Sequence, residues 1–128
     1  MKWTILPALA LVPVVVLAIS SSDSEYPRET QPDQYFDSAM YEEPWITSDR
    51  DGDGRVDYAL LLNDELQKRR EVMDFNYDGM MDDFYFYAND VLIREELDTN
   101  YDGAIDLWVF LHRGVYVERY ERDTDYDG

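Results

Sequence analysis

The chain has no cysteine and a single histidine, His112. Disulfides are therefore excluded, along with thiolate chemistry and the Cys/His sets that hold zinc. Bases are scarce too: 11 Lys and Arg face 29 Asp and Glu, for a formal net charge of −18. So acidic a surface offers no face to a polyanion, so no nucleic acid is expected as a partner. There is no glycine-rich phosphate loop and no pairing of nucleophile with base, and the expectation is that the protein is not an enzyme. Carboxylate pairs of the glycosidase kind carry no specificity in a chain with 29 acids. What remains is 45% hydrophobic and 15% aromatic residues. That content argues against a disordered acidic tail, and 128 residues suit one domain.

The N-terminus reads as a secretory signal over residues 1–20. Lys2 supplies a positive start, residues 3–19 carry no charge, and small polar residues follow. Cleavage after Ala18 or Ser20 fits the small-residue rule. An uncleaved anchor is the rival, and it would be the chain's only membrane contact; Pro7 and Pro13 interrupt the apolar stretch. The expected location is secreted, periplasmic or in the cell envelope. Residues 21–43 are polar and acidic with Pro27 and Pro32, and read as a linker. Residues 44–128 form the repeat region.

There the pattern Asp-x-Asp/Asn-x-Asp-Gly-x-x-Asp recurs. Loop 1 carries Asp49, Asp51, Asp53, Gly54 and Asp57; loop 2 carries Asp74, Asn76, Asp78, Gly79 and Asp82; loop 3 carries Asp98, Asn100, Asp102, Gly103 and Asp106. A fourth copy, Asp123, Asp125, Asp127 and Gly128, ends before its seventh and ninth positions. It is expected to be weak or empty, and the sequence is expected to be a fragment. The copies start at residues 49, 74, 98 and 123, so the steps are 25, 24 and 25. A fixed period of this length marks a repeat architecture. Calcium takes six to eight hard oxygens. The side chains at positions 1, 3, 5 and 9 can supply them, with the backbone carbonyls of Arg55, Met80 and Ala104 at position 7. Gathering the ten Asp carboxylates of the three full loops without a cation costs repulsion, so calcium binding and folding are expected to be coupled.

These loops resemble EF-hand calcium loops, but position 12 holds Leu60, Tyr85 and Val109 where an EF-hand carries Glu. The acid at position 9 resembles instead the calcium loops between strands in FG-GAP-type integrin repeats. The period resembles that of short EF-hand-like repeats of bacterial envelope and secreted proteins. The resemblance covers residues 49–128 and implies Ca²⁺ binding between strands, with affinity in the extracellular range of about 10⁻⁴–10⁻³ M.

Between the loops, apolar runs at 58–62, 84–88 and 107–111 are each followed by a turn pair: Asn63-Asp64, Asn89-Asp90 and Arg113-Gly114. Return runs at 65–73, 91–97 and 115–122 follow. Short aromatic and aliphatic runs with such turns predict a mainly β fold, an antiparallel meander of hairpins joined by calcium loops. Helix is the alternative for the return runs. Both faces of the outgoing strands are apolar and expected to be covered. Trp45-Ile46-Thr47 is read as a strand leading into loop 1, and His112 as a strand-end residue. Tyr77, Tyr101 and Tyr126 share position 4 of their loops. Those tyrosines, or a platform of Phe84, Phe86, Trp108 and Phe110, could contact a glycan or protein at the cell surface, which makes a calcium-dependent adhesion module the alternative function. Core packing is the plainer reading of the platform residues.

Overall fold

A computed structural model describes residues 34–127. The predicted signal, 1–20, lies outside them, as does most of the linker. After a short 3₁₀ helix, Ser38–Met40, come seven strands: β1 Ile46–Ser48, β2 Tyr58–Leu62, β3 Lys68–Met73, β4 Asp83–Ala88, β5 Val91–Leu97, β6 Leu107–His112 and β7 Tyr116–Arg122. They form one sheet in chain order, every pair antiparallel. The expected hairpin meander is what forms, and the return runs are strands. No described helix is long and apolar enough to cross a membrane.

The turns explain the register. Asn89 and Asp90 both have positive φ and Ala88 pairs with Val91, so the second hairpin closes through a two-residue turn. Arg113 and Gly114 also have positive φ, but His112 pairs with Tyr116, so the last turn encloses the three residues 113–115 rather than the expected pair. The first hairpin differs from expectation. Asn63 N–H donates to Gln67 O and Leu66 N–H to Asn63 O, which encloses the three residues 64–66. Leu66 sits at φ 61 with its side chain in water. Only glycine takes that conformation without steric cost. Leu66→Gly is expected to stabilise the fold by about 1 kcal/mol in urea titration.

One face of the sheet is closed. Ala59, Val72, Phe84, Phe86 and Met81 form the core, and Trp108 and Phe110 are also buried. The other face of the outgoing strands, expected to be covered as well, is only half-buried at Tyr58, Leu60, Tyr85, Tyr87, Leu107 and Val109. Its neighbours along the sheet shield it instead. Tyr58 and Tyr87 each donate a hydroxyl to Glu71 at 2.6 Å, and Lys68 adds an ion pair at 3.1 Å. Burial opposes ionisation of Glu71, but these three hydrogen bonds outweigh it and hold the carboxyl below its usual range.

The cover on the closed face comes partly from residues 34–45, so packed structure begins within the span read as linker. Tyr41 is buried, and Tyr35, Phe36 and Trp45 pack against the core. Phe36 meets Phe84 edge-on at 5.1 Å, and Trp45 meets Tyr41 at 4.9 Å. Asp37, Glu42 and Glu43 make this segment acidic, yet its aromatic anchors bury enough area to dock it, at about 1.5–3 kcal/mol for each fully buried ring.

Further across the same face, Arg70, Phe86, Arg94, Phe110 and Arg119 are successive cross-strand neighbours. The guanidinium carbons of Arg70 and Arg94 lie 4.4 and 4.0 Å from the Phe86 ring centre, and that of Arg119 lies 3.7 Å from Phe110. Cation–π stacking at these distances adds roughly 0.5–2 kcal/mol per contact. Trp108 and the phenylalanines are thus core and ladder residues rather than an exposed platform.

Candidate metal centre

All four acidic segments lie at one end of the sheet. Loop 1 joins β1 to β2, loop 2 joins β3 to β4, loop 3 joins β5 to β6, and residues 123–127 follow β7. The strands stop there because the chain turns back on its own backbone N–H groups. The position-1 carboxylate accepts from the N–H of the position-6 glycine in each full loop: Asp49 from Gly54 at 2.8 Å, Asp74 from Gly79 at 2.8 Å, Asp98 from Gly103 at 2.7 Å. Position 3 accepts from the position-5 N–H at 3.0–3.1 Å through Asp51, Asn76 and Asn100. Position 5 accepts from the position-7 N–H, at Arg55, Met80 and Ala104. The glycines at position 6 have φ of 86–91°, a region closed to other residues without strain.

Position 9 closes the ring. Asp57 Oδ2 accepts from the N–H groups of Arg50 and Asp51, and Asp82 Oδ2 from those of Phe75 and Asn76. Both aspartates are buried. Burial pushes the Asp82 carboxyl up to about 6, although the two backbone N–H groups pull the other way. Position 12 falls inside β2, β4 and β6, where a residue cannot turn back to the loop.

Three of these segments bring one carboxylate oxygen from each acid within 4.8 Å of the others: Asp49, Asp51, Asp53 and Asp57; Asp74, Asp78 and Asp82; and Asp123, Asp125 and Asp127. Loop 3 is not among the convergent groups found in the described residues. Its bonds at positions 1, 3 and 5 match those of loop 2, and the side chain at position 2 is a visible difference at position 9. There Thr99 donates its hydroxyl to Asp106 Oδ1 at 2.6 Å, while its N–H donates to Oδ2 at 2.7 Å. Both oxygens of Asp106 are thus occupied. Loop 1 has Arg50 at that position and loop 2 has Phe75, neither with a hydroxyl to offer.

The position-7 residues behave differently from one another. Arg55 uses its side chain as well as its backbone. It pairs with Asp53 at 2.6 Å, and its guanidinium donates to the carbonyls of Tyr77 and Asp78 in loop 2. The hydrogen bond from Arg55 holds the Asp53 carboxyl below its usual range. Met80 faces residues 36–38: Ser38 N–H donates to Gly79 O and Met81 N–H to Phe36 O. This bridge directs the Met80 carbonyl to the other side, toward its loop. Ala104 is exposed and makes no such link in the described contacts.

Several residues escape a reading by loop position alone. Val56, Met81 and Ile105, all at position 8, plug the loops into the core. The signal was one apolar residue at the same offset in each copy. Asp83 follows loop 2 directly and is 2% exposed. Burial pushes its carboxyl up to about 8, Glu95 adds repulsion, and the Tyr85 hydroxyl at 2.6 Å offsets part of this. No offset pattern marks it, because loops 1 and 3 have Tyr58 and Leu107 there.

The arrangement offers hard oxygens and no nitrogen or sulfur, a donor set for an oxygen-seeking cation. Compared with known protein families, curated proteins and solved structures, the chain matches none of them.

Proposed function

We propose that the protein binds calcium through these loops, and that the metal is structural: it clips successive hairpins together at one end of the sheet. The observation that carries this reading is the convergence of carboxylate oxygens in loops 1 and 2 while their partner oxygens are held by backbone N–H groups. A loop already folded around its donors needs little reorganisation to take a cation, and like charges at this separation favour one. Calcium fits better than magnesium because each loop offers several carboxylates and a carbonyl, a donor set for six to eight oxygens rather than an octahedron completed by water. The signal-like residues 1–20 support a location outside the cytoplasm, where millimolar calcium matches sites of moderate affinity. A protein without cysteine gains from metal the cross-linking that disulfides supply elsewhere.

Calorimetric titration tests it. Loops 1 and 2 are expected to take calcium in the range of about 10⁻⁴–10⁻³ M. Loop 3 is expected to be weaker, and Thr99→Ala is expected to tighten it several-fold by releasing Asp106 Oδ1. Residues 123–127 supply only part of a ligand set. No calcium-dependent heat at millimolar metal rejects the proposal.

A second reading has one observation in its favour. Tyr77, Tyr101 and Tyr126 share φ near 57–60° and stand exposed on the loop edge. Such strain in bulky residues is associated with recognition. A calcium-dependent adhesion module would use this row against a glycan or protein. Glycan binding lost on replacing the three tyrosines with asparagine supports it; binding that survives rejects it.

A further inference from the structure

Loop 2 is held from outside as well as from within. On its inner side, Asp78 N–H donates to Asp74 Oδ1 at 3.3 Å and Gly79 N–H donates to Asp74 Oδ2 at 2.8 Å. A planar trans peptide points its C=O opposite to its N–H. The carbonyls of Tyr77 and Asp78 therefore face out of the loop, and there the guanidinium of Arg55, from loop 1, takes both. Nη2 donates to Tyr77 O at 3.1 Å and Nη1 to Asp78 O at 2.8 Å. Nε donates back to Asp53 Oδ2 at 2.7 Å. One rigid fork thus joins position 5 of loop 1 to positions 4 and 5 of loop 2. It lies close against loop 2: a Cβ on Gly79 would meet Nη1 at 2.7 Å, while Gly54 and Gly103 have open space at that point.

Loop 3 supplies the comparison. Asp98 accepts from the N–H groups of Asp102 and Gly103 as Asp74 does from those of Asp78 and Gly79. Each of the two loops is also tied to the loop before it by a like backbone bond, Asp74 N–H to Asp57 O at 2.9 Å and Asp98 N–H to Asp82 O at 2.8 Å. What loop 3 lacks is the strut. The residue in the place of Arg55 is Met80, whose side chain has no N–H to give to the carbonyls of Tyr101 and Asp102. Arg55 therefore does not create the fold of loop 2; it holds two of its peptides against turning. Donors fixed in advance lose less freedom when they take a cation. The charge of the guanidinium opposes a cation nearby, but it pairs with Asp53 at 2.6 Å and is exposed, so water and salt screen it.

We propose that Arg55 is a positioning residue for the neighbouring site: from loop 1 it raises the calcium affinity of loop 2 by clamping the Tyr77 and Asp78 carbonyls. This rests on the calcium reading above. Proton–nitrogen NMR of the chain through a calcium titration tests it, because the amides of Gly54, Gly79 and Gly103 report one loop each. In Arg55→Ala the Gly79 midpoint is expected to rise about fivefold, while that of Gly103 stays in place. Arg55→Lys keeps the charge, but one ammonium cannot span both carbonyls and Asp53, so Gly79 should weaken again. Retained amide dispersion shows that each variant is folded. A Gly79 midpoint that is unchanged or lower in Arg55→Ala overturns the proposal and leaves calcium binding intact. Full affinity with lysine does the same, since charge alone would then suffice. Equal weakening at Gly103 also overturns it, because a loosened sheet would account for both. If none of the three glycines responds to millimolar calcium, the calcium reading itself fails, and this role of Arg55 with it.

Discussion

Removing calcium with EGTA is expected to lower the stability of the protein by several kcal/mol and to broaden or abolish its cooperative melt. A ligand that binds only the folded state stabilises it by RT ln(1 + [L]/Kd). At tenfold to hundredfold excess over Kd each filled site adds about 1.4–2.7 kcal/mol. Two sites then contribute about 3–5 kcal/mol, a large share of the total for a domain this size. The chelated chain must also hold Asp49, Asp51, Asp53 and Asp57 together, with Arg55 paired to one of them, Asp53. Near-UV and far-UV circular dichroism with and without EGTA, followed through a thermal melt, measures this. Unchanged β signal and melting temperature would defeat the idea that metal and fold are coupled.

Glu96→Ala is expected to destabilise the protein by about 3–5 kcal/mol. Glu96 is 1% exposed and Arg94 3%, and they pair at 2.9 Å on the closed face of β5. Gln34 donates to the second carboxylate oxygen of Glu96 at 3.0 Å. Burial raises the pKa of Glu96 and lowers that of Arg94, each against the pull of its partner, so desolvation outweighs the pair's attraction. Deleting the acid leaves a guanidinium in the interior with its main counter-charge gone. Replacing both residues with apolar ones, Arg94→Met with Glu96→Leu, should cost far less than the single change. Methionine can still cover Phe86, where the Arg94 guanidinium now stacks. Urea unfolding of the single and double variants decides it; equal losses in both would show that packing, not charge, holds β5.

Much of the fold was legible because its instructions are local. Asn89-Asp90 specifies a two-residue turn through residues that accept positive φ, and Arg113-Gly114 marks the place of the last turn, which takes in Val115 as well. Asn63-Asp64 looked equivalent, yet the chain turns one residue later through Leu66, a residue with no turn preference, so no local signal existed. No local signal marks Glu96 as a buried acid. Glu96 is buried because its partners, Arg94 and Gln34, and the aromatic rings beside it remove it from water. In the candidate metal centre, each aspartate of the loops could be read from its offset. Thr99 could not be weighed in the same way, because only the folded loop shows its hydroxyl closing on Asp106 Oδ1.

By itself the sequence determined the order of hairpins and the position of every acidic loop. Both follow from contacts between neighbouring segments, where turn signals and the repeat period leave few choices. The tertiary structure alone decided what closes the sheet and which carboxylates converge. Residues 34–45 dock through aromatics and a hydrogen bond spanning 62 positions, and Arg55 reaches more than twenty residues ahead into loop 2. Such contacts depend on which side chains the assembled sheet brings within a few ångströms, and no local pattern encodes that distance.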